Sequence, residues 1–92
     1  MHAFKDWPDD IVHKIMADFG QKNFETISKA LWALYAQGAD YRIVRCVLFL
    51  AQGNPNKMKH FIEQARLDFR DVIYWAEYDA QGRIRDFNFP FQ

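Results

Sequence analysis

The tripeptide Ala-Gln-Gly occurs three times in this chain, at residues 36–38, 51–53 and 80–82, and each copy follows an apolar segment. Glycine takes the left-handed backbone conformation that closes an α-helix more readily than other residues, so each copy predicts a helix end. Three such ends within 92 residues leave room only for short helices that fold back on one another. The spacing therefore predicts an all-α protein, a compact bundle of four to five short antiparallel helices.

Length and composition favour a single helical domain over residues 1–92, because a chain of this size supports one hydrophobic core and half of its residues are apolar. Cys46 is the only cysteine, so no internal disulfide can form and a reducing compartment is expected. The N-terminal residues show no apolar stretch typical of a secretory signal, and the longest apolar run, residues 46–51, is far too short to span a bilayer. We therefore expect a cytoplasmic protein without a membrane segment.

Apolar periodicity and capping residues predict five helices, at about residues 8–19, 24–37, 41–52, 55–67 and 69–79. The first helix begins at Pro8, with Asp6 or Trp7 as its cap. The expected caps of the next three are Asn23, Asp40 and Asn54. The third predicted helix is apolar on most sides, so we expect its neighbours to surround it at the centre of the bundle.

The segment 55–79 has two interpretations. Its apolar positions recur in steps of four and three without an intervening glycine or proline after Pro55, which is compatible with one long helix. Asp68 and Asp71, however, resemble an N-terminal capping signal, and an unbroken helix of ~35 Å would overhang neighbours half its length. We favour a break near Asp68.

After Gly82 the sequence changes to alternating phenylalanines, which is the periodicity of an extended chain. We predict an extended aromatic tail over residues 83–92, with its phenylalanine rings facing one way. The last helix carries aromatic residues on its flanks and outer side, and an aromatic area of this size left in water would be unusual for a monomer. Either the tail packs on this helix within the chain, or both dock on a second copy or another protein. The leading functional hypothesis is a protein-interaction or self-association module with six partner-binding residues: Tyr74, Trp75, Tyr78, Phe87, Phe89 and Phe91.

All six arginines lie between residues 42 and 85, and they suggest an alternative function. Arg42 and Arg45 on the apolar third helix, with Arg66 and Arg70, could bind an external anion such as RNA or a phosphate ligand. Arg83 and Arg85 would extend that basic face. Twelve acidic residues nevertheless cancel twelve basic ones, which makes nucleic acid an unfavoured partner.

No catalytic constellation is visible in the sequence. His2, His13 and His60 lack the paired ligand spacing of a zinc site, and Cys46 is embedded in an apolar run. We therefore predict no metal, no cofactor and no enzymatic activity, although an active-site cleft could not be seen in a primary sequence.

Overall fold

A computed structural model describes residues 7–91, which form an all-α bundle and confirm the predicted fold class. A short antiparallel β-hairpin follows the last helix. The elements in chain order are α1 (Asp9–Phe19), α2 (Gln21–Ala36), α3 (Tyr41–Ala51), α4 (Pro55–Leu67), α5 (Phe69–Glu77), β1 (Tyr78–Asp79) and β2 (Gly82–Arg83).

Helix α3 lies at the centre of the bundle, as its apolar sequence predicts. Every residue from Ile43 to Leu48 is buried, and the helix contacts all four other helices, α4 and α5 most extensively. The hydrophobic core around it draws completely buried side chains from three other helices, namely Ile11, Ile15, Leu31, Leu34 and Val72. This arrangement places any polar side chain on α3 within reach of several elements at once.

Side-chain caps begin the last three helices. The Asp40 carboxylate accepts a hydrogen bond from the backbone N–H of Ile43 at 3.0 Å, and the Asn54 side chain accepts two in the first turn of α4. The structure divides the segment 55–79 at Asp68, whose backbone is extended (φ −164°) and whose carboxylate accepts from the N–H of Arg70 at 2.9 Å. Each cap satisfies backbone donors that helix geometry leaves unpaired.

The second helix begins at Gln21, three residues before the predicted start at 24. Gly20, at φ 82° and ψ 163°, joins α1 directly to α2 in a backbone conformation that is almost restricted to glycine. Asn23 does not cap α2; its side-chain amide instead donates to the carbonyl of Phe19 at 2.9 Å. The first helix begins at Asp9 after Pro8, and Asp6 lies outside the described residues.

The third Ala-Gln-Gly triplet closes the β-hairpin and does not end a helix, which corrects the sequence prediction. Helix α5 ends at Glu77, and Tyr78 pairs with Arg83 while Asp79 pairs with Gly82. The helix ends early because the returning chain binds its last carbonyl: Glu77 O accepts from the N–H of Ile84 at 2.7 Å. Glycine serves a hairpin loop as readily as a helix end, so the triplet predicts a turn without defining the element before it.

The tail after the hairpin is not uniformly extended, contrary to the prediction. The side chain of Asp86 accepts a hydrogen bond from Asn88 N at 3.0 Å, and its carbonyl accepts one from Phe89 N at 3.2 Å. This turn breaks the alternation, so that Phe87 is 7 % exposed and Phe89 is 62 % exposed. The three phenylalanine rings therefore do not face one way.

Candidate interaction surface

Arg42 binds Glu77 inside the bundle. Its Nε and Nη2 donate to the two carboxylate oxygens at 2.9 and 2.7 Å, in the bidentate geometry that suits a guanidinium group. Glu77 is completely buried and also accepts from the backbone N–H of Phe87 at 2.9 Å and from Arg83 Nε at 3.2 Å. One carboxylate thereby joins α3, α5, the hairpin and the tail.

Arg45 forms a second ion pair, with Asp10 of α1. Its Nε and Nη2 donate to the Asp10 carboxylate at 2.8 and 3.2 Å, and its Nη1 donates to the carbonyl of Phe87 at 3.2 Å. The same carboxylate accepts from the backbone N–H of Phe91 at 3.1 Å. We call the two pairs, Arg42 with Glu77 and Arg45 with Asp10, the tail clasp, because both carboxylates also bind backbone of the tail.

The two carboxylates of the tail clasp are held ionised. Burial by itself raises the pKa of Asp10, but the hydrogen bonds from Arg45 and Phe91 N outweigh it and the pKa is lowered. Burial likewise opposes ionisation of Glu77, and the hydrogen bonds from Arg42 and Phe87 N lower its pKa. The clasp is therefore fully charged at neutral pH.

The predicted anion-binding arginines are occupied by acids of the same chain. Arg42 and Arg45 belong to the tail clasp, Arg66 contacts Glu63 at 3.7 Å, and Arg70 contacts Asp68 at 2.9 Å. Arg42 and Arg45 are therefore held in buried pairs, whereas Arg66 and Arg70 keep 41 % and 87 % of their side-chain surface exposed. The RNA or phosphate alternative stays a prediction. Arginines on an apolar helix do indicate buried acidic partners, but the sequence does not indicate which acids those are.

The tail aromatics are divided between the interior and the surface. The Phe87 ring lies 5.3 Å from the Phe49 ring of α3, and the Phe91 ring lies 5.4 Å from that of Phe87. The ammonium group of Lys14 lies over the Phe91 ring at 5.4 Å. Two of the three predicted tail residues thus pack within the chain, and Phe89 remains outside.

The aromatic residues at the end of α5 and at the start of β1 stay exposed after the tail has packed. Tyr74 is 61 % exposed, Trp75 42 % and Tyr78 38 %. The two tyrosine rings are stacked with their centroids 5.5 Å apart. The rings of Trp75 and of Phe61 on α4 meet edge to face with their centroids 6.1 Å apart. We call Tyr74, Trp75 and Tyr78 the helix-5 face. The six predicted partner-binding residues are not equally exposed, since Phe87 is buried, Phe91 is partly buried and Phe89 is the most exposed of the three tail phenylalanines.

A groove that the sequence did not predict runs beside this face. Two clefts share Phe49 in their lining: one of about 430 Å³ is also lined by Leu50 and Phe61, and one of about 490 Å³ is also lined by Ile84 and Phe89. We call them together the Phe49 groove. Phe49 lies within the apolar run 46–51 that is typical of core residues, so nothing in the local sequence distinguishes it as a surface residue.

Cys46 and the histidines are the other candidates for chemistry. Burial, with the charge of Glu77 adding to it, raises the pKa of the Cys46 thiol to about 12, so this cysteine stays protonated at neutral pH. Within residues 7–91, no three His, Cys, Asp or Glu side chains lie close enough together to hold a metal ion. His2 lies outside this range. None of the helices in the described part of the chain has the length and apolar character needed to cross a bilayer.

Comparison of this chain with protein-family models, curated proteins and solved structures finds no match in any of the three. A functional assignment therefore depends on the geometry of the helix-5 face and the Phe49 groove.

Proposed function

We propose that this protein is a self-associating interaction module in which two copies pair through the helix-5 face. The observation that carries the proposal is the exposure of this face after the tail clasp is made. Phe87 and Phe91 of the tail pack against each other within the chain, and the tail does not cover Tyr74, which remains 61 % exposed. Large aromatic side chains of this kind are enriched in protein interfaces, where their burial supplies much of the binding energy.

The spacing of residues along α5 suits a second copy of the same helix. Arg70 and Tyr74 are four residues apart on α5, and Tyr78, the first residue after the helix, stacks its ring on that of Tyr74 at 5.5 Å between centroids. A two-fold axis at Tyr74 would bring two antiparallel copies together and set Tyr78 of each beside Arg70 of the other. A guanidinium group over a tyrosine ring is an attractive pair, and the tyrosine hydroxyl can also accept a hydrogen bond from it.

The charges on and around the face permit this pairing. The present bond between Arg70 and Asp68 involves an arginine side chain that is 87 % exposed, and an exposed pair of this kind contributes little to stability. The net charge of the chain is zero, so two copies do not repel each other at long range. We assign the protein to the cytoplasm, where its free Cys46 thiol remains reduced.

Light scattering during size-exclusion chromatography tests the proposal on the whole chain. We expect a mass of twice 11.0 kDa that falls to 11.0 kDa on dilution. Tyr74→Glu should give 11.0 kDa at every concentration, because two glutamates would meet at the two-fold axis and repel each other.

Leu67→Glu provides the matched control, since Leu67 is an exposed apolar residue outside the helix-5 face (78 % exposed). It should leave the dimer intact, and circular dichroism should show that both variants keep the helical content of the parent. A wild-type protein that stays monomeric up to its solubility limit would contradict the proposal. Equal loss of the dimer in both variants would contradict it as well.

A further inference from the structure

The Phe49 groove combines an apolar floor with positive side chains at its rim. Its first cleft is lined by Lys57 and His60 together with two neutral amide side chains, and no acidic residue lines it. The second cleft contains Arg85, and its one acidic lining residue, Asp86, is bound to Arg83 at 2.8 Å. The groove therefore presents unneutralised positive charge beside aromatic surface.

Lys57 lies in the first turn of α4, where the helix dipole disfavours a positive charge. The first turn of α4 contains no acidic residue, although the positive end of the helix dipole favours acids there. A cation at this end costs about 0.3–1 kcal/mol at an exposed site. The ammonium group is bound only to the neutral side chain of Gln52, at 3.2 Å, so its charge is not offset within the described residues. A local arrangement that opposes stability in this way is typical of a functional position.

Arg85 of the second cleft is held in place without an acid. Its guanidinium carbon lies 4.4 Å above the Phe49 ring, and its Nη1 donates to the carbonyl of Ala76 at 3.1 Å. These contacts orient the side chain while leaving its charge uncompensated among residues 7–91. Phe89 is exposed and lines the same cleft as Arg85, so it offers an aromatic anchor for a ligand there.

From this geometry we infer that the Phe49 groove binds an acidic amphipathic segment of another protein. Apolar side chains of that segment would enter the two clefts, and its carboxylates would bind Lys57 and Arg85. Lys57 would exchange a hydrogen bond to a neutral amide for an ion pair with a carboxylate, in which both partners are charged. Trp75 of the helix-5 face packs against Phe61 of the groove, but Tyr74, the residue changed to test the dimer, lines neither cleft.

Fluorescence anisotropy with labelled synthetic peptides tests the inference on the full chain. The first probe is an amphipathic peptide with Leu and Phe at helical spacing and Glu at the remaining positions. The second replaces every Glu with Lys, and the third replaces every Leu and Phe with Ser. We expect the first peptide to bind about tenfold more tightly than either of the others, since both charge and apolar contact are required.

Two lysines on the same helix supply the matched variants. Lys57→Glu should weaken binding of the acidic amphipathic peptide about tenfold, whereas Lys59→Glu, an exposed lysine that does not line the groove, should weaken it less than about twofold. Both lysines are exposed, so both variants should fold.

Several outcomes would overturn the inference. Equal binding of the three peptides, absence of binding by the acidic amphipathic peptide, or equal effects of the two lysine variants would each do so. Tighter binding of a single-stranded oligouridine than of the peptide would assign the groove to nucleic acid instead. Repeating the titration with the Tyr74→Glu protein separates the two proposals, because loss of the dimer should leave peptide binding unchanged.

Discussion

Replacing Glu77 with glutamine tests whether the tail clasp holds the bundle together. The carboxylate is completely buried and accepts five hydrogen bonds: two from Arg42 and one each from Arg83, the N–H of Phe87 and the Cys46 thiol. Glutamine has nearly the same shape, but it removes the negative charge and replaces one acceptor oxygen with an NH₂ group. That NH₂ group would face another donor on either side of the site.

The expected loss of stability is large for so small a change. Removing one partner of a buried ion pair typically costs 3–5 kcal/mol, and we expect about 3 kcal/mol because Arg42 keeps 25 % of its side-chain surface in contact with solvent. Domains of this size have a free energy of unfolding of about 5–14 kcal/mol. A loss of about 3 kcal/mol should lower the melting temperature by roughly 10–25 °C.

Urea unfolding followed by circular dichroism and tryptophan fluorescence measures this loss. Glu63→Gln is the control, because Glu63 contacts Arg66 at 3.7 Å with 59 % of its side-chain surface exposed, and its loss should cost less than about 0.5 kcal/mol. Arg42→Ala introduced into the Glu77→Gln protein should add less than it costs alone, since the two residues interact directly. A cost below about 1 kcal/mol for Glu77→Gln would refute the reasoning.

The tail clasp, the close approach at Gly53 and the buried Cys46 each give one further prediction. The lowered pKa values of Asp10 and Glu77 mean that their stabilising contribution is complete above their ordinary values of 3.8 and 4.5 and is lost as the pH falls through the lowered ones. Urea midpoints should therefore be nearly constant from about pH 7 to 5 and fall below about pH 4, and an unchanged midpoint at about pH 3 would contradict this. Gly53→Ala should cost about 2 kcal/mol in urea unfolding, because φ is +74° and a Cβ would lie 3.0 Å from the carbonyl oxygen of Asp18; an unchanged midpoint would show that the helix ends can separate. The Cys46 thiol, with its pKa raised to about 12, should react with Ellman's reagent at neutral pH only as fast as the protein unfolds, so rapid reaction of the native protein would count against its burial.

The starts of α3, α4 and α5 were the most predictable part of the fold, because their capping signals are local, whereas Asn23 does not cap α2. Asp40, Asn54 and Asp68 each bind a backbone N–H two or three residues away, so the cap and its partner appear together in the sequence. The end of α5 was less predictable, since Glu77 O is bound by N–H groups from residues that return after the hairpin. Gly82 looks the same in the sequence whether it ends a helix or closes a hairpin loop.

The sequence predicted the residues of the helix-5 face but not the Phe49 groove. The aromatic excess of α5 indicated Tyr74, Trp75 and Tyr78 as residues with no place in the core, and the structure leaves all three exposed. The Phe49 groove had no such signal, because it forms where the end of α3, the start of α4 and the tail meet. Its one local signal was Lys57, a cation in a first helical turn that contains no acid.

By itself, the sequence determined that this chain forms short helices with α3 at their centre, since apolar periodicity, caps and glycines act over three or four residues. Only the tertiary structure decided which charges meet. Arg42 and Arg45 each bind a carboxylate 35 residues away, and Phe91 N binds Asp10 across 81 residues. Ion pairs over such separations depend on how whole helices pack, and it is these pairs that set the tail in place and leave the helix-5 face uncovered.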